Sequence, residues 1–408
     1  MTYSKEQEFL LLAVQRSLCE DERQRRERLC AEALDWQYIQ RQAAFHRIGP
    51  LIYHHCFSQA NQGDHIPSEV RQYFQDAYQQ TYLQNRLLYQ QLNLLLPEFE
   101  KHNCRPIVLK GIFLAKYIYQ NIALRPMHDI DLLLQQQDAN TAVQILKNAG
   151  YSNILNHIVF LSDWHQFQED RIFRELESQG FHLPIFIKKL GAFNVCVELH
   201  HHITPILDAQ QIDSMPVSGF NGPVRTLSPE YFLLHLCFHV YNHFQKESSS
   251  YLLWYYDIVE FIHTYYFQDS SMSWKRFLVL CQQIQIEEEV FRSLAIVHTL
   301  FKVAVPEKVL TFPWDFQELL IHIFSEPKPN PEVSMLRSVL AQRKSFGLRY
   351  LWDCLFPSKA FLVARYNIRP RWLVYLYYPV RLFKALSRGG RLIKVLFTND
   401  DKNVKKRM

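Results

Sequence analysis

The segment that most constrains the fold of this chain is residues 129–134, a short apolar stretch interrupted by two aspartates (DIDLLL). Because alternate side chains of a β-strand point to opposite faces, Asp129 and Asp131 would lie together while the apolar residues that alternate with them enter a core. Two adjacent carboxylates repel each other unless a positive group lies between them. Mg²⁺ is commonly held by one or two carboxylates together with phosphate oxygens. The segment therefore predicts a buried strand with a divalent-cation site on one face.

The residues before this strand predict a place for an anion. Residues 107–109 are typical of a short buried strand, and residues 112–120 are typical of a helix. Gly111 lies where the strand would turn into the helix, and a glycine there lets the backbone approach a ligand closely. The free N–H groups at the helix start favour phosphate, and Lys110 and Arg125 add positive charge nearby. We therefore expect a phosphate site and a metal site close together in the sequence.

A third carboxylate lies in a second strand pattern at residues 195–200 (VCVELH). The alternation places the two valines and the leucine toward a core, and Cys196, Glu198 and His200 on the other face. If this strand is adjacent to the strand of the two aspartates, Glu198 completes a three-carboxylate metal site. The sequence leaves that adjacency open.

Several of these residues have a structural alternative that the sequence leaves open. Lys110 either neutralises a phosphate or lines the strand end with its stem. Arg125 either binds phosphate through two parallel hydrogen bonds or clamps one of the aspartates. His200 either contacts the metal shell or the nucleotide, or serves as a structural hydrogen-bonding group. The histidine run at 200–202 does not favour a zinc site with Cys196, because its members alternate between the two faces of a strand.

Three motifs together resemble the bacterial uncharacterised nucleotidyltransferase family of the DNA polymerase β-like superfamily. The motifs are Leu109-Lys110-Gly111, residues 124–133 (LRPMHDIDLL) and Val197-Glu198-Leu199-His200. Weaker similarity is found in helical flanks at 34–36, 46–51, 227–230, 233–236 and 256–258, so that the resemblance extends over roughly residues 5–380. It departs from the superfamily pattern in two places: Lys110-Gly111 stands where Gly-Ser or Gly-Gly is usual, and the third acid is Glu198 where Asp is frequent.

The resemblance implies an α+β fold, in which a small mixed nucleotidyltransferase-type sheet with helices is embedded in a mostly helical protein. It implies Mg²⁺, with Mn²⁺ as the alternative ion, held by the catalytic and metal-binding residues Asp129, Asp131 and Glu198. The expected reaction transfers a nucleoside monophosphate from an NTP to an acceptor hydroxyl and releases pyrophosphate. The residues expected to bind the nucleotide are Lys110, Gly111, Arg125 and His200.

Composition favours a cytoplasmic, mostly helical protein. Only 11 of the 408 residues are glycine, against an average usage of about 7%. The eight cysteines have no Cys-x-x-Cys spacing, which is typical neither of a disulfide framework nor of a zinc site. We expect no signal peptide and no membrane span, and hence a reducing, bacterial-type cytoplasm. The predicted regions are a helical region at 1–95, the nucleotidyltransferase core at 96–205, a second helical region at 206–350 and a basic amphipathic segment at 351–408.

The C-terminal segment carries most of the positive charge. Residues 361–408 contain twelve Lys or Arg and two Asp, whereas the whole chain has a net charge of only +5. Arg381, Lys384, Arg388 and Arg391 recur at helical spacing, which predicts a basic face able to contact anionic membrane or nucleic acid. A membrane-peripheral interaction protein is one alternative to the enzyme.

The other alternative is a catalytically silent nucleotide-binding or partner-binding subunit of a biosynthetic or toxin–antitoxin system. The presence of all three acids argues against a degenerate site. The acceptor class stays open between a small molecule, a peptide or protein, and an RNA end. Base preference and oligomeric state have no signal in the sequence.

Overall fold

The computed structural model describes residues 3–58, 66–153, 185–191, 193–204, 207, 209–247, 251–311 and 323–324. All of these residues belong to one unit of the chain, residues 1–157 and 170–326. The second unit, residues 158–169 and 327–408, lies outside the described residues. The predicted basic segment at 351–408 therefore lies outside them as well.

Helices cover most of the N-terminal region, as the sequence predicts. Ser4 begins the first with a capping box: its hydroxyl accepts from the Gln7 N–H (3.2 Å), and the Gln7 side chain accepts from the Ser4 N–H (3.1 Å). Asp35 begins the third by accepting from the Tyr38 N–H (2.9 Å). The helices are α1 (Lys5–Ala13), α2 (Glu20–Ala31), α3 (Trp36–His46) and α4 (Gly49–Ile52), the last continuing as a π-helical turn, Tyr53–Phe57.

A 34-residue helix, α5 (Ser68–Lys101), follows. The sequence predicts its start correctly but ends it near Leu95, about two turns too early. Asn85, fully buried in α5, donates from Nδ2 to the carbonyl oxygens of Ile122 (2.5 Å) and Arg125 (2.7 Å). Helix α5 therefore fixes the loop that leads into the strand of the two aspartates.

The described residues contain a seven-stranded mixed sheet with the strand order β3-β4-β5-β2-β1-β7-β6. Strand β2 is parallel to β5 and antiparallel to β1, and β1 is parallel to β7. The outer pairs β3–β4, β4–β5 and β6–β7 are antiparallel. The strands are β1 (Ile107–Val108), β2 (Asp129–Leu133), β3 (Ser152–Asn153), β4 (Phe186–Leu190), β5 (Phe193–His200), β6 (Ser214–Val217) and β7 (Val224–Leu227).

The pairing of β2 with β5 supplies the adjacency that the sequence leaves open. Asp131 lies opposite Glu198, and Asp129 lies opposite Cys196. The apolar residues that alternate with these acids in both strands are fully buried. The polar residues of the two strands therefore share the other face of the sheet.

Seven further helices lie in the described residues. Helix α6 (Lys110–Phe113) continues as a π-helical turn, Leu114–Ile118, in place of the regular helix that the sequence predicts over residues 112–120. Gly150, with φ +86°, follows α7, as expected for a helix end. The other helices are α7 (Ala139–Asn148), α8 (Pro229–Glu247), α9 (Leu252–Ile262, continuing as a π-helical turn, His263–Gln268), α10 (Trp274–Gln283), α11 (Glu287–Phe301) and α12 (Glu307–Leu310).

The architecture is α+β, with a mixed sheet inside a mostly helical chain, as predicted. Strands β6 and β7 lie within residues 206–350, where the sequence predicts helices, and they extend the same sheet. None of the helices in the described part of the chain has the length and apolar character needed to cross a bilayer.

Candidate functional site

A cleft of about 460 Å³ lies between one face of the sheet and the helices α8 and α9. Its volume is within the range typical of small-molecule sites. On the sheet side it is lined by Lys110, Asp129, Asp131, Glu198 and His200, and on the helix side by His235, His239, His243, Tyr251 and Trp254. The structure thus brings the three predicted acids and Lys110 to one cleft.

Asp131 is the centre of the polar contacts in this cleft. Its Oδ1 lies 3.0 Å from Lys110 Nζ and 2.7 Å from His200 Nε2, and the residue is only 3% exposed. Burial by itself raises the pKa of Asp131, but Lys110 and His200 outweigh burial and hold this pKa well below its usual range. An ionised carboxylate only accepts hydrogen bonds, so both nitrogens donate to it and His200 carries its proton on Nε2.

Glu198 faces the same point from the neighbouring strand. Its Oε2 lies 3.6 Å from His200 Nε2. Asp131, Glu198 and His200 each offer a ligand atom, and these atoms all lie within 4.8 Å of one another. Within the described residues this is the one group of three or more His, Cys, Asp or Glu side chains whose ligand atoms lie that close together. The group contains two of the three acids predicted as metal ligands, together with His200.

Asp129 lines the cleft but is not a member of that group. Burial and then repulsion from Asp131 raise the pKa of Asp129 to about 6. Burial and the same repulsion raise the pKa of Glu198 to about 8. The cleft therefore contains three carboxyl groups and one lysine, so the charge of Lys110 compensates only one of them. Asp129 and Glu198 keep their protons at pH values where exposed acids have lost them. The role of Asp129 as a metal ligand stays a prediction.

Comparison with known protein families gives one result. Residues 32–302, more than half of the chain, match the family described as uncharacterised nucleotidyltransferase. The chain belongs to this family. No curated protein and no solved structure matches it.

In this nucleotidyltransferase family member, side-chain packing favours glycine at the turn between β1 and α6. A Cβ on Gly111 would lie 2.7 Å from both Arg125 Nη1 and Met127 Sδ, so these side chains would have to move whether or not a phosphate approaches the turn. The left-handed backbone conformation in this turn belongs to Lys110, with φ +38°. The predicted roles of Lys110 and Gly111 in phosphate binding stay predictions.

Arg125 is held by an acid that the sequence does not identify as its partner. Its Nε and Nη2 donate to the two carboxylate oxygens of Asp257 on α9, at 2.9 and 2.8 Å, and both residues are buried. Tyr119 donates its hydroxyl proton to the same carboxylate at 2.9 Å. From the sequence, Arg125 is an alternative partner for one of the aspartates of β2. In the structure it pairs with Asp257 instead. The residue lines the cleft, and its predicted contact with phosphate stays a prediction.

The sequence assigns no functional role to the histidines on the helix side of the cleft. His235, His239 and His243 recur every four residues in α8, so they lie along one face of the helix. This spacing is the signal that was available. Their position opposite the acids depends on the packing of α8 over the sheet, which local sequence patterns do not reveal.

Proposed function

We propose that this protein is a Mg²⁺-dependent nucleotidyltransferase that transfers a nucleoside monophosphate from an NTP to an acceptor hydroxyl and releases pyrophosphate. The observation that supports this most is the pairing of Asp131 with Glu198 across β2 and β5, in a cleft that also contains Lys110 and Asp129. We place the activity in the cytoplasm, as composition leads us to expect.

The donor set of the cleft fits a hard divalent cation. Burial and mutual repulsion raise the pKa values of Asp129 and Glu198, as expected where carboxylates surround a position made for positive charge. Carboxylate oxygens favour Mg²⁺ and also suit Mn²⁺, whereas His200 donates the proton of its Nε2 to Asp131. Asp129, Asp131 and Glu198 would hold the ion. When bound, it would neutralise phosphate charge and lower the pKa of the attacking hydroxyl.

The residues of this chain have distinct proposed roles around the NTP. Lys110 stays protonated, because the three acids more than offset the effect of burial on its pKa, and it supplies positive charge to the triphosphate. His200 fixes the orientation of Asp131 through their hydrogen bond. Glu198, ionised once it holds the ion, would accept the proton of the acceptor hydroxyl. Arg125 uses Nε and Nη2 for Asp257, so Nη1 would serve the phosphates.

A matched pair of acid-to-amide variants tests this proposal. Mg²⁺ with an NTP should raise the melting temperature of the wild-type protein and of Glu98→Gln, which changes an exposed acid of α5 that does not line the cleft. The same ligands should leave the melting temperature of Asp131→Asn unchanged. Pyrophosphate release with an accepted hydroxyl compound should be lost in Asp131→Asn and Glu198→Gln. Equal NTP stabilisation of all these proteins would contradict the proposal.

One observation favours a second candidate, a catalytically silent nucleotide-binding or partner-binding subunit. Lys110 pairs directly with Asp131 at 3.0 Å, so an internal cation already compensates one of the acids. Lys110→Met tests whether Lys110 serves the NTP or only Asp131. It should weaken NTP binding if Lys110 contacts phosphate, and it should leave NTP binding unchanged and strengthen Mg²⁺ binding if Lys110 only compensates Asp131. Binding of NTP without pyrophosphate release to any acceptor would favour the silent subunit. The acceptor class, whether small molecule, peptide or protein, or RNA, is best found by screening for pyrophosphate release.

A further inference from the structure

A set of aromatic rings covers the helix side of the cleft, opposite the acids. On α8 and α9, the ring centroid of Trp254 lies 4.9 Å from that of His239 and 4.7 Å from that of His243. Tyr251 lies 4.5 Å from Trp254. We call these four rings (His239, His243, Tyr251 and Trp254) the aromatic wall. All four line the cleft and are partly exposed.

Core packing accounts for only part of the aromatic wall. The residues that follow Trp254 in α9, Tyr255 and Tyr256, are fully buried and belong to the hydrophobic core, whereas Trp254 packs against that core and stays partly exposed. Trp254 and Tyr251 line the cleft, where a ligand that covers exposed apolar surface gains free energy. A cluster of this type is suited to a planar apolar ligand.

The charge and hydrogen-bonding groups at this end of the cleft have a definite arrangement. The guanidinium carbon of Arg47 lies 4.5 Å above the ring centroid of Tyr251, which fixes one ring and adds a positive charge. His235, one helical turn before His239, is 4% exposed and its Nε2 has no hydrogen-bond partner among the described residues. A buried polar atom without a partner loses free energy until a ligand or water meets it. His235 thus supplies a free hydrogen-bonding position beside the aromatic wall.

We infer that the aromatic wall binds the nucleobase of the NTP, which stacks on Trp254 and His243 while His235 Nε2 hydrogen-bonds the nucleotide between base and phosphates. The inference rests on the proposed NTP-dependent activity and adds the base subsite to it. Every base presents a π-face, so stacking on aromatic side chains tolerates different bases. The absence of a base-reading motif in the sequence agrees with such a mode of binding.

A transition-metal site on the same histidines is the competing explanation, since histidines four residues apart can share a metal ion. The ring centroids of His235 and His239 lie 6.3 Å apart. In the described ranges, the group with ligand atoms close enough for one ion consists of Asp131, Glu198 and His200 and includes no residue of α8. The close ring contacts of Trp254 with His239 and His243 instead favour a stacked ligand.

The test compares ligands with and without a base. Calorimetry measures the Kd of the tightest-binding NTP among ATP, GTP, CTP and UTP, and the Kd of inorganic tripolyphosphate, each with Mg²⁺. Trp254→Leu and His243→Leu should weaken NTP binding on the order of tenfold each and leave tripolyphosphate binding unchanged. Trp254→Phe keeps a ring and should recover most of the NTP affinity. Trp274→Leu is the matched control, because Trp274 begins α10, is also partly exposed and does not line the cleft.

The outcomes separate this inference from the proposed function. Wild-type NTP affinity in both Trp254→Leu and His243→Leu would overturn the base subsite and leave the proposed function intact. Equal losses for NTP and tripolyphosphate in Trp254→Leu, with a lowered melting temperature and no recovery in Trp254→Phe, would also overturn it. A wild-type protein that binds neither ligand would contradict the proposed function, and the base subsite would fall with it.

Discussion

Asp131 differs from the other acids of the cleft in its protonation, and this difference shapes the behaviour of the site. Lys110 and His200 keep it ionised, whereas burial keeps Asp129 and Glu198 protonated to about pH 6 and about pH 8. Asp131 is thus charged at all physiological pH values, whereas a cation displaces a proton from Glu198 near neutral pH and from Asp129 only at about pH 6 and below.

Metal binding should therefore depend on pH. Because Mg²⁺ or Mn²⁺ must displace the protons of Asp129 and Glu198, the metal Kd should be larger at pH 6 than at pH 8.5, with proton release on binding. Calorimetry in two buffers of different ionisation enthalpy measures both quantities. Glu198→Gln should remove most of the dependence above pH 7. A metal Kd that is constant from pH 6 to pH 8.5 would contradict the assignment.

Gly111 provides a second test at the residue scale. A Cβ at this position meets Arg125 Nη1, which cannot move freely because Asp257 holds the same guanidinium. Gly111→Ala should therefore lower the free energy of unfolding by roughly 1–3 kcal/mol, measured by urea denaturation, and weaken NTP binding. In Gly191→Ala the new Cβ has nothing within 4 Å, but the backbone there has φ +61°, so that variant should lose some stability through backbone strain and still leave NTP binding unchanged. Full NTP affinity in Gly111→Ala would show that the turn tolerates a side chain.

At the scale of elements, the loop between α6 and β2 is held from two sides. Asn85 of α5 donates to carbonyl groups of this loop, and Asp257 of α9 accepts from the side chain of Arg125 in the loop. Asn85 and Arg125 are 40 residues apart in the sequence, and Arg125 and Asp257 are 132 residues apart. Such long-range pairs follow from tertiary packing, and local propensity or periodicity does not reveal them.

The pairing of Arg125 with Asp257 should contribute to stability through its burial. Arg125→Met leaves the Asp257 carboxylate buried without its cation and should cost about 3–5 kcal/mol in the free energy of unfolding. Arg276→Met is the matched control: Arg276 also pairs with an acid, Glu230, at 2.8 Å, but its side chain is 66% exposed, and its loss should cost at most about 1 kcal/mol. Similar losses in the two variants would contradict this account.

The double variant Arg125→Met/Asp257→Leu separates stability from binding. Replacing both charged partners by apolar residues should restore part of the stability lost in Arg125→Met, since the Tyr119 hydroxyl then lacks its acceptor on Asp257. NTP affinity should stay reduced if Arg125 contacts phosphate. Restoration of both stability and NTP affinity would assign Arg125 a structural role alone.

The sequence predicts individual strands and several helix starts well, and it predicts their neighbours in space poorly. The alternation at 129–134 and 195–200 indicates two strands with buried apolar faces, and the structure confirms both. Strands β6 and β7 are four residues long each, and β6 contains Pro216. Such short segments, one with a residue that disfavours strands, carry little periodic signal, so the sheet was predicted smaller than it is.

At the scale of the whole molecule, buried neutral histidines should limit stability in acid. Burial lowers the pKa of His46 to about 3, of His55 to about 4 and of His235 to about 3. Unfolding returns these side chains to a pKa of about 6.5, so between pH 6.5 and pH 4 the unfolded state binds more protons. These histidines should therefore lower the free energy of unfolding as the pH falls through this window, whereas Asp129 and Glu198, whose pKa values are raised, act in the opposite direction. Urea denaturation of Asp129→Asn/Glu198→Gln at pH 7 and pH 5 measures the effect without the opposing acids, and equal values would contradict the burial of these histidines.

The most direct test of the central claim is the position of the metal. Crystals of the protein soaked with Mn²⁺ and a nonhydrolysable NTP would give an anomalous diffraction peak at the ion. We expect that peak in contact with the carboxylates of Asp131 and Glu198, with the triphosphate beside Lys110. A peak elsewhere, or a triphosphate bound outside this cleft, would contradict the assignment of the three acids.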